Sequence, residues 1–187
     1  MSKLLALDQS SSHTGYCLMV DGKIQEVGCI NVRASLDLFE RTVEMSKDIR
    51  ELLNKFKPDY LCLEEIYGLP GRYTALKALA IVRGALILVW YEYKHEAPII
   101  MNCSSARCKI GIKGNAKKPE VMAAVNAKFN LKIENEHEAD AVVLGVVGND
   151  MLPAKEPEIE VTPTTVKVRS KSTKVGKLSK GGKKGKK

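Results

Sequence analysis

The helix over Glu136–Gly148 limits the fold more than any other part of this chain. It opens on EHEAD and continues as AVVLGVV, a run that is apolar on every side. A helix with no polar face must be buried, so it needs partners on all sides. Asp140 then lies at the edge of a core and not on a solvated face. His137 and Asp140 are three residues apart and share a face, so they converge on one point. Glu138 is turned away from them by roughly a third of a circle.

The rest of the chain supplies a sheet to bury that helix. Lys3 to Asp8 is an apolar strand that stops on a carboxylate. Thr14 to Val20 and Lys23 to Ile30 follow as strands, joined by Asp21-Gly22, a type I′ hairpin signal. Leu36 to Phe56 is amphipathic at helical spacing and is closed by Pro58. Tyr60 to Ile66 is a short apolar strand ending in Glu64 and Glu65. Tyr73 to Tyr93 reads as a long apolar helix, and Pro98 to Met101 as a brief strand. After a basic loop comes a helix from Pro119 to Phe129, and then the helix ending near Gly148. A meander of three antiparallel strands followed by alternating helices and strands predicts an α/β fold. Its mixed sheet would carry parallel strands as well, with helices on both faces. The ribonuclease H-like fold has this order. So does each half of the sugar-kinase, actin and Hsp70 ATPases.

Charge divides the chain in two. From Pro153 onward there are 11 Lys/Arg and 3 Glu, leaving 19 of each sign before it. Residues 153–187 are rich in Pro, Gly, Ser and Lys and are expected to be a disordered basic tail on a folded domain of residues 1–152. Lys-rich tails bind polyanions by releasing counterions, which makes nucleic acid the natural partner. The five cysteines lack zinc-site spacing and are expected to be free thiols in a reducing cytoplasm. No signal peptide is evident and no apolar run is expected to span a bilayer, so the chain reads as soluble, cytoplasmic and without a membrane partner.

Asp8, one of Glu64 and Glu65, His137 and Asp140 all fall where apolar elements end. Neighbouring strand residues face opposite ways, so only one of the two glutamates can join Asp8. Carboxylates gathered at a core edge repel each other and are costly to desolvate, which a divalent cation resolves. Oxygen-rich sites suit Mg²⁺ or Mn²⁺, and two such ions can activate water and stabilise the leaving oxygen in phosphodiester hydrolysis. Between Glu96 and Glu120 there is no acidic residue, while Arg107, Lys109, Lys113, Lys117 and Lys118 all occur there. That is an electrostatic footprint for phosphates.

These residues bring the chain to a family. Asp8, Ser11, Thr14 and Gly15 fit a D-x-x-S-x-x-T-G opening, and Leu63 to Tyr67 an acidic strand end with an aromatic three residues on. Ala75-Leu-Lys-Ala through Arg83-Gly84, the basic Gly111 to Lys118 loop and His137-Glu-Ala-Asp140-Ala141 follow in order. With these motifs the chain resembles the RuvC-type Holliday junction resolvases, of ribonuclease H-like fold, from about Lys3 to Asp150. The resemblance implies a Mg²⁺-dependent endonuclease, with Mn²⁺ able to substitute and two ions per site, acting as a homodimer on four-way and other branched DNA. It implies Asp8, Glu64 and Asp140 as metal-binding carboxylates, with His137 at a fourth position that is acidic in some members. Glu136 or Glu138 would serve there if the helix began differently. It implies Tyr67 as a stacking residue near the junction centre, and Lys117 and Lys118 on scissile-strand phosphates. A compact resolvase with a basic extension also suits a phage. Gln9-Ser10 departs from the family, which usually has Pro-Gly or a similar pair. The competing readings are a non-catalytic nucleic-acid-binding protein of the same fold and an ATP-binding sugar-kinase-like domain. The latter rests on QSSSHTG as a phosphate loop, and the chain has no second lobe to complete it.

Overall fold

The computed structural model describes residues 1–67, 71 and 73–153. The expected disordered tail therefore lies outside the described residues, apart from Pro153. Five strands form one sheet: β1 (Lys3–Asp8), β2 (His13–Val20), β3 (Lys23–Asn31), β4 (Tyr60–Glu64) and β5 (Ile99–Met101). Their spatial order is β3-β2-β1-β4-β5. The first three pair antiparallel, while β4 joins β1 and β5 joins β4 in parallel. This is the mixed sheet expected. Asp21 and Gly22 both take positive φ at the hairpin, 45° and 78°, as a type I′ turn requires.

Strand alternation sorts the core into two layers. Leu4, Ala6, Cys17, Met19 and Cys62 face α5 (Glu136–Asp150), with α3 (Cys103–Lys109) and α4 (Lys118–Phe129) beside it. Leu5, Leu7, Leu18, Leu61 and Leu63 face α1 (Leu38–Phe56) and α2 (Tyr73–Lys94). Ala139 and Ala141 through Leu144 are fully buried, as the all-round apolar pattern demands. Each buried Val or Leu side chain contributes about 1.5–3 kcal/mol from area alone.

Helix boundaries follow local chemistry. The α1 helix starts at Leu38 and not at Leu36, because the Asp37 carboxylate accepts from Glu40 N–H while the Glu40 side chain accepts from Asp37 N–H. Lys57, in the left-handed conformation, ends it. Sequence periodicity missed α3, a seven-residue helix inside the expected basic loop. Its sequence CSSARCK has no amphipathic repeat, and Asn102 starts it by accepting from Ser105 N–H.

The α2 helix corrects one expectation. At 22 residues, with a mean hydropathy of 1.6 over its most apolar window, it has the length and composition that crossing a membrane needs. Here one side of it is packed: Val82, Leu86, Val89 and Trp90 are buried. Ile81, Leu88 and Tyr91 are exposed on the other side, where Gly84 has open space before it.

Candidate active site

Three carboxylates reach one end of the sheet on its α5 face. Asp8 ends β1 and Glu64 ends β4, and both follow the parity of Ala6 and Cys62, which pack towards α5. Glu65 points the other way and pairs with Arg83 of α2 at 3.1 Å. Alternation thus places Glu64, and not Glu65, on the face of Asp8. Asp140 arrives from the first turns of α5 and is 9% exposed.

The approach of α5 depends on Gly15. Asp8 and Gly15 are register partners. A methyl group at Gly15 would collide with the backbone carbonyl of His137. Strand and helix therefore meet backbone to backbone, and His137 is carried directly over the end of β1.

Gln9, unexplained by the sequence, has a clear role in the structure. It is 3% exposed; its amide Nε2 donates to the Glu64 carbonyl at 2.7 Å, and Glu64 N–H donates to its Oε1 at 3.1 Å. The side chain thus acts as one more rung of the β1–β4 ladder and fixes the strand end that carries Glu64. In the next residues, the Ser10 hydroxyl bonds back to the His13 carbonyl and accepts from its N–H. With its polar groups turned on itself, this turn is not the phosphate cradle that the ATP-binding alternative requires.

Each of the other two carboxylates has a cationic or protonatable partner. His137 Nδ1 lies 2.6 Å from Asp8 Oδ2. This hydrogen bond raises the His137 pKa, against the effect of burial, and favours the imidazolium. The His137 ring is also parallel to that of His13, with centroids 6.0 Å apart, a neighbour that sequence reasoning did not single out. Asp140 receives Arg107 in a fork: Nη2 donates to Oδ1 at 2.7 Å and to Oδ2 at 2.8 Å, and Nε donates to Oδ1 at 3.1 Å. Burial still raises the Asp140 pKa, partly offset by Arg107. Among the described residues no ion pair is seen for Glu64, and its pKa is pushed up to about 8 by burial first and then by the charge of Asp8, with Arg107 pulling weakly the other way.

That donor set fits a divalent cation in its chemistry. It is rich in oxygen, partly buried and too negative to be comfortable when fully ionised. As the side chains stand, no three His, Cys, Asp or Glu groups among the described residues could hold one ion. Asp8 is turned to His137 and Asp140 to Arg107.

The expected DNA-contacting residues are distributed unevenly. Lys109, Lys113 and Lys117 are exposed on the strip from α3 to the start of α4. Lys118 pairs with Glu136 at the start of α5. Arg107 is turned inward onto Asp140 instead of outward. Tyr67, three residues past the end of β4, is 62% exposed.

Comparison with known proteins places this geometry among others. The family model described as crossover junction endodeoxyribonuclease RuvC matches residues 4–148. The Synechocystis sp. protein of that description is 29% identical over 154 residues, covering 77% of this chain and 89% of the relative. The Cronobacter sakazakii one is 28% identical over 153 residues, covering 78% and 86%. Among solved structures, Thermus thermophilus RuvC in complex with a Holliday junction substrate superposes with a TM-score of 0.64 at 17% identity, covering 78% of this chain and 91% of that one. The yeast mitochondrial Holliday junction resolvase gives 0.53 at 14% identity, covering 78% and 76%. At these identities the structural likeness establishes a shared ribonuclease H-like fold.

Proposed function

Since the chain belongs to the RuvC family of crossover junction endodeoxyribonucleases, we propose that it resolves four-way DNA junctions with Asp8, Glu64, Asp140 and His137 as its working groups. It is a structure-selective endodeoxyribonuclease of a family that depends on divalent metal. The observation that carries the assignment is the meeting of Asp8, Glu64 and Asp140 at the ends of β1 and β4 and the first turns of α5; burial, and then the charge of Asp8, raise the Glu64 pKa to about 8 there.

Asp8, Glu64 and Asp140 would hold two Mg²⁺ ions, for which Mn²⁺ substitutes. When bound, the ions would activate water and stabilise charge on the leaving oxygen. His137 is oriented by Asp8 through Nδ1, so Nε2 is the atom left to ligate or to hand a proton to the leaving oxygen. Gln9 keeps the Glu64 backbone in place while charge changes around it. Lys109, Lys113, Lys117 and Lys118, with Arg107, form the cationic strip that takes scissile-strand phosphates. Tyr67 offers an exposed ring for stacking on an unpaired base.

The enzyme works as a homodimer, one nick per subunit, and the exposed Ile81, Leu88 and Tyr91 face of α2 is the surface offered to the second copy. The Lys-rich segment beyond Leu152 adds sequence-independent affinity for DNA, and the site of action is the cytoplasm of a bacterial or phage-infected cell.

A cleavage assay on synthetic four-way, flap, duplex and single-stranded substrates tests this reading. Symmetric nicks near the branch are expected with Mg²⁺ or Mn²⁺ and none with EDTA. Asp8→Asn should end cutting while junction binding persists; wild-type cutting by that variant would remove Asp8 from the site. Truncation after Leu152 should weaken binding and flatten its salt dependence.

A further inference from the structure

The five basic residues between Arg107 and Lys118 do not behave alike. Lys109, Lys113 and Lys117 are exposed, and Lys118 pairs with Glu136 at the surface. Arg107 alone among these five points into the carboxylate site. It covers both oxygens of Asp140, and its side chain is only 14% exposed against 12% for Asp140. Cys103, one turn earlier on α3, also reaches Asp140 Oδ1 through its thiol at 3.4 Å, so the contact is enclosed on that side.

A guanidinium in that fork and a divalent ion on the same carboxylate compete. The fork takes lone pairs on both oxygens of Asp140, and two cations sharing a partly buried carboxylate repel at short range. Arg107 also cannot simply leave, because a buried pair stripped of one member exposes an uncompensated charge. It needs another anion. Phosphate matches the guanidinium fork as well as a carboxylate does, and Arg107 belongs to the strip facing the backbone of bound DNA in the reading above.

We propose that Arg107 is an internal counter-ion that occupies Asp140 until a DNA phosphate draws it away, so that junction binding and metal loading reinforce each other. The inference rests on the metal-site assignment and adds to it an order of events. The free enzyme keeps Asp140 closed to metal, and the junction-bound enzyme opens it. Linkage makes the coupling reciprocal: metal tightens the junction by the factor by which the junction tightens metal.

Calorimetric titration of the full-length chain with Ca²⁺, alone and with a four-way junction after subtracting a DNA-only titration, reads this coupling. Wild-type protein should bind Ca²⁺ about tenfold more tightly with the junction present. Arg107→Gln should bind Ca²⁺ without DNA nearly as well as the wild-type complex does, and its coupling should fall to about twofold or less on that scale. Arg107→Lys, which keeps the charge but loses the fork, should lie between them. If Arg107→Gln folds poorly, Arg107→Lys carries the test, because it too must bind Ca²⁺ better than wild type when DNA is absent. Melting adds a second readout. Arg107→Gln should melt below wild type in EDTA and recover in Ca²⁺, whereas a purely structural arginine would lower both curves equally. Equal Ca²⁺ affinity in wild type and both variants, or tight wild-type binding that ignores DNA, would overturn the proposal. A different result, in which no form binds Ca²⁺ with or without the junction and Asp8→Asn changes nothing, would instead remove the metal site on which it rests.

Discussion

Glu64 and Glu65 are adjacent in sequence, yet they belong to two different molecular environments. Glu64 turns towards α5, where burial first, and then the charges of Asp8 and Asp140, raise its pKa to about 8. Glu65 turns towards α2, where Arg83 meets it in a half-exposed ion pair. The strand supplies both carboxylates, but the sheet face decides which one is in a reactive setting. On the α5 face Glu64 shares its surroundings with two more carboxylates, whereas Glu65 meets a guanidinium.

The largest effect should separate these neighbours. Glu64→Gln should reduce junction cutting by about a thousandfold, comparable to removal of a principal transition-state contact. Glu65→Gln should leave cutting within about threefold and change stability by no more than about 1 kcal/mol, as half-exposed ion pairs do. Single-turnover cleavage beside chemical denaturation measures both, and equal losses in cutting would erase the distinction between the faces.

A smaller effect should come from the residue that keeps Glu64 still. Gln9→Ala should lower cutting by about 10–100-fold while junction affinity holds, in the range found for groups that orient a ligand and do not bind it. Ser10→Ala, next along the same turn, should stay near wild type. If the two variants behave alike, the rung made by Gln9 does not position Glu64.

The smallest effect is a slope. In metal-free protein, Glu64 holds its proton up to about pH 8, whereas the unfolded chain loses it near 4.5. The folded state therefore binds more protons across that window, and stability falls as pH rises through it. His137 adds to the fall: its raised pKa gives stability that is complete below about 6.5 and is lost as pH climbs through the folded value. Melting temperatures in EDTA should thus decline from pH 4.5 to 8. Glu64→Gln should flatten the decline, and Mg²⁺ should relieve it by favouring the ionised carboxylates. A melting temperature that rises across this range in EDTA would reverse the assigned sign.

Much of this was legible in the sequence because strand parity and helix spacing are local rules. They located the α5 face and admitted only one of the two glutamates beside Asp8, but the shared helix face of His137 and Asp140 did not foretell their partners, Asp8 for the one and Arg107 for the other. What escaped was set by partners far apart in the chain. Gln9 completes a ladder with residues 55 positions away, and no turn signal announces that. Arg107 reads as one more cation in a basic strip until α3, too short for any periodic signature, turns it 33 positions forward onto Asp140. In the α2 helix Lys77 and Arg83 interrupt the apolar run, yet the 22 residues together keep a mean hydropathy of 1.6 over their most apolar window.

The missing side chain at Gly15 has a consequence for how the two sides of this site can change. Asp8 sits opposite Gly15 in the register, and His137 rides on the helix pressed against it. Their separation is set by contact between main chains and has no adjustable packing to widen or shrink it. One wall of the site is therefore fixed in size. The other side is lined by Arg107, a long side chain on the seven-residue α3 that forks onto Asp140. Room to adjust the site by substitution therefore lies on the Arg107 side.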